Sequence, residues 1–160
     1  DVCSSDLITN PAQFMATTVG NTAMDTQLFL FTLAGAAVYA NDDADGLTLQ
    51  STLPAGNAFA AGLYLLGISL AGNDPVNAVN DFLFAGGFST DVRGPASNIS
   101  PAELADFTGG TVWDEEGAYS ITLRGAEFAK VPEPTTGLLA ALGIGLCGLP
   151  SLRARRRRSA

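Results

Sequence analysis

The stretch that most restricts the fold is Leu63 to Leu70, LYLLGISL. It stops almost at once, at Gly72-Asn73-Asp74-Pro75, where four turn formers stand in a row. Leu66, Ile68 and Leu70 fall on one face of an extended chain, and Leu65, Gly67 and Ser69 on the other. A short, β-rich run with hard stops is a strand rather than a helix. The same grammar recurs upstream. Leu28 to Leu33, LFLFTL, is a continuous apolar run and predicts a strand buried on both faces. Ala34-Gly35 punctuates it, and Ala36 to Ala40 then predicts the second arm of a hairpin. Phe14 to Val19 carries β-branched Thr17, Thr18 and Val19, and Gly20-Asn21 turns the chain after it.

Further along, Leu47, Leu49 and Leu53 alternate with Thr48, Gln50 and Thr52. That period of two predicts a half-buried strand over 47–53. Ala118 to Ala126 alternates in the same way and predicts a last strand with Tyr119, Ile121 and Leu123 inward. Thr111 to Trp113 is another short β piece, and Asp114-Glu115-Glu116-Gly117 is a turn. Residues 76–103 show no sustained period and predict a long loop with one or two short strands. Ser100 to Glu103 matches a capping box, which predicts one helical turn. Six to eight short strands with little helical signal predict an all-β, antiparallel sandwich over 8–129. No internal repeat is present.

Charge is divided unevenly. In residues 1–129 two arginines, Arg93 and Arg124, face fifteen acids, a formal balance of −13. A domain this acidic excludes nucleic-acid binding through general electrostatics. There is no histidine, so a Ser-His-Asp or Cys-His device cannot be built, nor a His-bearing metal site. Of the two cysteines, Cys147 lies in an apolar run and Cys3 is its one available partner, so the domain must stand on its core alone. Asp1 to Leu7, DVCSSDL, resembles the translated end of a common sequencing adapter. On that reading residues 1–7 are an artefact, and the natural N-terminus, with its signal peptide, is missing. A genomic sequence encoding DVCSSDL in frame would refute this.

The C-terminal stretch has three parts in fixed order. Residues 130–136 form a linker holding Pro132, Glu133 and Pro134. Residues 137–152 carry no charge, and a basic tail over 153–160 follows, with Arg153, Arg155, Arg156, Arg157 and Arg158. As a helix, 137–152 would span about 24 Å at ~1.5 Å per residue, slightly short of a ~30 Å hydrocarbon core, a gap that snorkelling side chains can close. The arginines would stay cytoplasmic and the acidic domain would lie outside. VPEP, the apolar run ending in GLCGLPSL and then RARRRR resemble the PEP-CTERM sorting signal of bacterial envelope proteins. The resemblance implies recognition by an exosortase, a membrane-embedded transpeptidase-like protease, with cleavage near Pro-Glu-Pro. The contact with the membrane is then transient. Pro150 departs from the pattern by standing just before the basic stop.

A second resemblance covers about 20–127. DTQLFLF, YANDD, LPAG, GLYLLGIS, NDP and GAYSITLRGA are similar to the β-sandwich modules related to the bacterial pre-peptidase C-terminal domain. It implies a jelly-roll-like, non-catalytic accessory fold, here followed by one C-terminal transmembrane helix.

Two sites suggest themselves in the domain. Asn41, Asp43, Asp45 and Gly46 match the first half of a calcium loop, with hard oxygen ligands on alternating residues. Thr52 stands where an EF-hand needs a bidentate Glu, so an EF-hand is rejected. Two readings stay open: a solvated Asx turn, the simpler one, or a calcium-binding β-turn assisted by Asp42 or Asp25. Among Tyr39, Tyr64, Tyr119 and Trp113, Trp113 is the best platform for stacking a sugar, although strand aromatics more often pack inside. Asp114, Glu115 and Glu116 fit an exposed turn better than a glycosidase pair, which needs its carboxylates across a cleft. These observations predict a secreted, exosortase-processed envelope or extracellular-matrix protein, structural or adhesive, not an enzyme, and needing no cofactor. Such a protein enters through the inner membrane with its C-terminus cytoplasmic before processing. The competing expectation is an accessory module binding calcium or exopolysaccharide.

Overall fold

The computed structural model describes residues 2–57, 59–109 and 117–128, all within one compact unit, Asp1–Ala129. The expectations for Thr111 to Trp113, for Asp114 to Glu116 and for everything from residue 130 onward lie outside the described residues. The fold is all-β, with every strand pairing antiparallel. Ten strands run in the order β1 (Val2–Ile8), β2 (Met15–Thr17), β3 (Thr26–Thr32), β4 (Ala37–Asn41), β5 (Thr52–Leu53), β6 (Gly62–Leu70), β7 (Asp74–Val76), β8 (Asp106–Thr108), β9 (Thr122–Arg124) and β10 (Ala126–Phe128). Residues 2–7, read above as adapter-derived, supply most of β1.

Strands β10-β1-β6-β3-β4 form a five-stranded sheet, β5-β2-β9 a three-stranded one, and β7-β8 a ribbon. The two strongest apolar runs, β3 and β6, sit side by side in the middle of the large sheet, in register from Thr26↔Leu70 to Thr32↔Tyr64. The β3–β4 hairpin forms as expected, turned at 33–36, with an irregularity between Leu30 and Phe31.

Both faces of the large sheet are covered. Leu28, Leu30, Tyr39, Leu66 and Ile68 meet Phe14, Ala16 and Leu53 of the small sheet's strands and their approaches. On the opposite face Phe29, Phe31 and Ala40 pack with Leu83 and Phe84, and Leu65, Leu104 and Phe107 close over them. Phe84 lies tilted against Phe29 at 5.5 Å and edge-on to Phe31 at 5.4 Å, measured between ring centroids. β3 is therefore buried on both sides, as its unbroken apolar run requires.

One corner carries two crossings between the sheets. β1 passes through a short 3-10 turn (Pro11–Gln13) into β2, and so leaves the large sheet for the small one. β9 and β10 make the reverse crossing at Gly125, whose carbonyl accepts hydrogen bonds from the Thr9 and Asn10 amides at 3.0 Å each. Gly125 has φ +67°, and a Cβ there would stand 2.6 Å from the Asn10 carbonyl oxygen and 2.8 Å from the Phe14 amide nitrogen. Only glycine fits this crossing without strain.

Three expectations are corrected. The strand over 47–53 shrinks to Thr52–Leu53, and Leu47 is 96 % exposed. Local bonds take the segment instead: the Asp45 carboxylate accepts from the Leu47 amide at 2.8 Å, and Ala44 N–H donates to the Gln50 carbonyl at 2.8 Å. The single strand over 118–126 is two short strands in different sheets, split at Gly125. Tyr119, expected inward, is exposed, while Ile121 and Leu123 do pack on the core. No helical turn forms at Pro101, because Glu103 bridges to Ala36 and Leu104 N–H donates to Gly35, which draws the chain into extended form.

Candidate functional site

The antiparallel hairpin that brings Leu28 opposite Asn41 also brings the residues before β3 beside those after β4. Side chains alternate, so the face carrying Phe29, Phe31 and Ala40 continues through Gln27 and Asp42. An aromatic layer thus gives way to a polar end. There the carboxylates of Asp25, Asp42 and Asp43 each place an oxygen within 4.8 Å of the others. Charge of one sign is concentrated where the sheet face meets solvent.

Asp42 bears the cost. Burial, then the carboxylates of Asp43 and Asp25, push its carboxyl up to about 6, while Arg93 and a hydrogen bond from Gln27 act against them. Its Oδ1 is buried and accepts no hydrogen bond. Gln27 is itself held by the Ser69 hydroxyl, which donates to its Oε1 at 3.3 Å. Arg93 is the neighbouring cation. A pair of backbone hydrogen bonds with Ala40, 2.8 Å each, seats it against β4. Its Nη1 approaches Asp74 Oδ1 only to 3.9 Å, and its Nε and Nη2 are buried with no hydrogen-bond partner.

The four residues proposed from the calcium-like loop part company here. Asp42 and Asp43 join the cluster, together with Asp25. Asn41 does not. It is buried, its Oδ1 accepts from the Thr52 amide at 2.9 Å, and its Nδ2 donates to the Asp91 carbonyl at 3.3 Å. It fastens β4 to β5 and to the 91–93 segment. Asp45 turns outward and holds its own loop. Asp25, expected above as an assisting residue, lies sixteen residues before Asn41 and is brought to the cluster by the strand pairing.

The aromatic candidates divide similarly. Tyr39 is buried beside Phe59, with its hydroxyl donating to the Pro54 carbonyl at 3.5 Å, and burial pushes its phenol above the usual range. Tyr64 packs edge-on to Phe59 and donates to the Ala60 carbonyl at 2.7 Å. Tyr39 is interior packing, and Tyr64 lies half-buried against the same cluster. Trp113 and the acids Asp114, Glu115 and Glu116 lie outside the described residues, as do Pro132, Glu133, Pro134 and the arginines from Arg153 to Arg158. Among the described residues no helix is long and apolar enough to cross a membrane.

Three carboxylates at this separation can share a hard divalent cation through one oxygen each. The unsatisfied Oδ1 of Asp42 fits that use. Arg93 competes for the same charge, but one guanidinium cannot neutralise three carboxylates. No family model, curated protein or solved structure matches this chain.

Proposed function

We propose that this is an exported bacterial protein of the cell envelope or extracellular matrix, delivered by a C-terminal signal that an exosortase removes, with a structural or adhesive role. The observation that carries the proposal is the order of the three parts in 131–160: Pro-Glu-Pro, an uncharged apolar run, then a block of arginines. The all-β fold, with both faces of its large sheet filled, supports a jelly-roll-like sandwich similar to pre-peptidase C-terminal modules. In such a reading residues 137–152 form a transient membrane helix and the domain acts without catalysis.

The test is processing. Expressed in a bacterium that carries an exosortase, the chain should lose its tail near Pro132-Glu133-Pro134, as read by mass spectrometry of the mature protein. Alanine at all three positions should leave it intact, as should deletion of the exosortase gene. A tail retained in the presence of the enzyme would end the proposal.

A second reading has its own support, the convergence of Asp25, Asp42 and Asp43. In it the domain binds a divalent cation such as calcium. Millimolar calcium should then raise the melting temperature, and Asp43→Ala should abolish the rise. An unchanged melting temperature in calcium refutes this second reading and leaves the sorting proposal untouched.

A further inference from the structure

A half-open pocket of about 190 Å³ lies against the outer aromatic layer, lined by Asp74, Pro75, Phe82, Phe84, Gly86 and Arg93. It is smaller than the ~300–1,000 Å³ typical of sites for drug-sized ligands. It suits one ring or the end of a chain. Phe84, in the lining, packs against both Phe29 and Phe31. Phe82 stands at the rim, 55 % exposed, with its backbone bridged to Val76. An exposed aromatic face here stands beside a half-buried charged pair, Asp74 and Arg93.

The polar wall is under-used. The Arg93 side chain is only 14 % exposed, yet it makes one long contact with Asp74, and its Nε and Nη2 find no acceptor. Buried donors normally find partners. Nε and Nη2 form the side-on edge of the guanidinium, a pair of parallel donors. Asp74, an acceptor, lies off Nη1 at the other edge, and receives a hydrogen bond from Gln27 at 3.5 Å. Arg93 and Asp74 both line the pocket, so turning the guanidinium to its surface would set donors beside an acceptor under an aromatic face.

We propose that this pocket binds one pyranose ring of a neutral polysaccharide. Adjacent ring hydroxyls are both donors and acceptors, so they can accept from Arg93 and donate to Asp74. The apolar C–H face of the ring stacks on Phe82. An anionic sugar is disfavoured, because the Asp74 carboxylate lines the pocket and Asp42 already draws on the charge of the same arginine. An apolar ligand would leave the guanidinium unsatisfied. This gives the polysaccharide-binding expectation a location other than Trp113, and it stands or falls apart from the sorting signal and from calcium.

Affinity electrophoresis of the full chain tests it, run in a polyoxyethylene detergent, which carries no sugar headgroup. The gels contain dextran, laminarin or galactomannan as neutral polymers, and alginate or polygalacturonate as uronate polymers. At least one neutral polymer should retard the protein. Phe82→Ala should weaken that association at least about tenfold, as expected for loss of an aromatic anchor. Gly86→Leu should do the same by filling the mouth, since nothing lies within 4 Å of a Cβ at that position. Phe88→Ala, at a phenylalanine 82 % exposed and outside the pocket lining, should bind as the wild type does. Circular dichroism confirms that each variant is folded. Retardation by no neutral polymer, or by uronate polymers alone, overturns the proposal. So does binding that survives both pocket substitutions or falls equally with Phe88→Ala.

Discussion

Replacing Gly125 with alanine should be among the most damaging single-methyl changes available to this domain. The residue sits at φ +67°, where a side chain costs about 1–2 kcal/mol relative to glycine. The new Cβ would also meet the Asn10 carbonyl oxygen at 2.6 Å, the Phe14 amide nitrogen at 2.8 Å and the Gln13 carbonyl carbon at 3.0 Å. All three are backbone atoms, so no side chain can swing aside. Relief requires the 3-10 turn to move off, which stretches the two hydrogen bonds from Thr9 and Asn10 to the Gly125 carbonyl. Each is worth about 1 kcal/mol. Together the loss is about 3–4 kcal/mol, a large part of the ~5–15 kcal/mol that holds a domain folded. Urea unfolding followed by far-ultraviolet circular dichroism reads it directly. With a slope of about 2 kcal/mol per molar urea, the midpoint should fall by ~1.5–2 M. Gly86→Ala is the control: its φ is not positive and nothing lies within 4 Å of its Cβ, so it should stay within about 0.5 kcal/mol. If Gly125→Ala loses no more than Gly86→Ala, the argument that this corner joins the two sheets through a glycine-only crossing fails.

Asp6 is 1 % exposed with an unpartnered Oδ1, and it sits two residues from Ile8 on the face toward the inner core. Asp6→Val should therefore stabilise by about 1–3 kcal/mol, seen as a higher urea midpoint; a lower one would mean that the Ser4–Asp6 hydrogen bond outweighs desolvation. Asp42 has its folded pKa raised from 3.8 to about 6, so the folded state holds a proton that the unfolded state gives up. Its favourable contribution is present below about pH 4 and is lost as pH rises through about 6. Asp42→Asn should then be more stable than the wild type at pH 7 by about 1 kcal/mol, allowing for screening of a half-exposed group, and should flatten the pH 4–7 profile. An unchanged profile refutes the assignment. Leu53→Ala should cost about 2–5 kcal/mol and Leu47→Ser no more than about 0.5, which differential scanning calorimetry can separate; equal losses would restore a buried strand over 47–53.

What the sequence reveals about the fold depends on whether local pattern and tertiary placement agree. In β3 and β6 they do: unbroken apolar runs with firm stops can only be satisfied inside, and both lie in the centre of the large sheet. In 47–53 they do not. Leucine alternates there at 47, 49 and 53, yet Asp45, Ala44 and Gln50 close local hydrogen bonds that turn Leu47 and Leu49 outward. Alternation reports only that a strand is affordable, not that a partner edge is near. The break at Gly125 has the same character, since a glycine within a strand pattern is visible but the Asn10 carbonyl that demands it is 115 residues away. The acidic site was half legible. Asp42 and Asp43 follow from the turn composition, but Asp25 arrives through strand pairing, and Asn41 is claimed by β5 before any ligand could use it.

The strand arrangement also sets how this domain would bear load. β10 is three residues long, occupies an edge and pairs only with β1, through Asp6↔Phe128 to Ile8↔Ala126. It is the last described strand before the linker. A protein tethered through its C-terminus would take tension first on that short strand, which among its described side chains contributes only the half-buried Ala126 to the inner apolar layer. The next resistance is the Gly125 corner, where the pull meets the two amides of Thr9 and Asn10 and the junction of both sheets. Under such a pull, β10 would yield before the Gly125 corner.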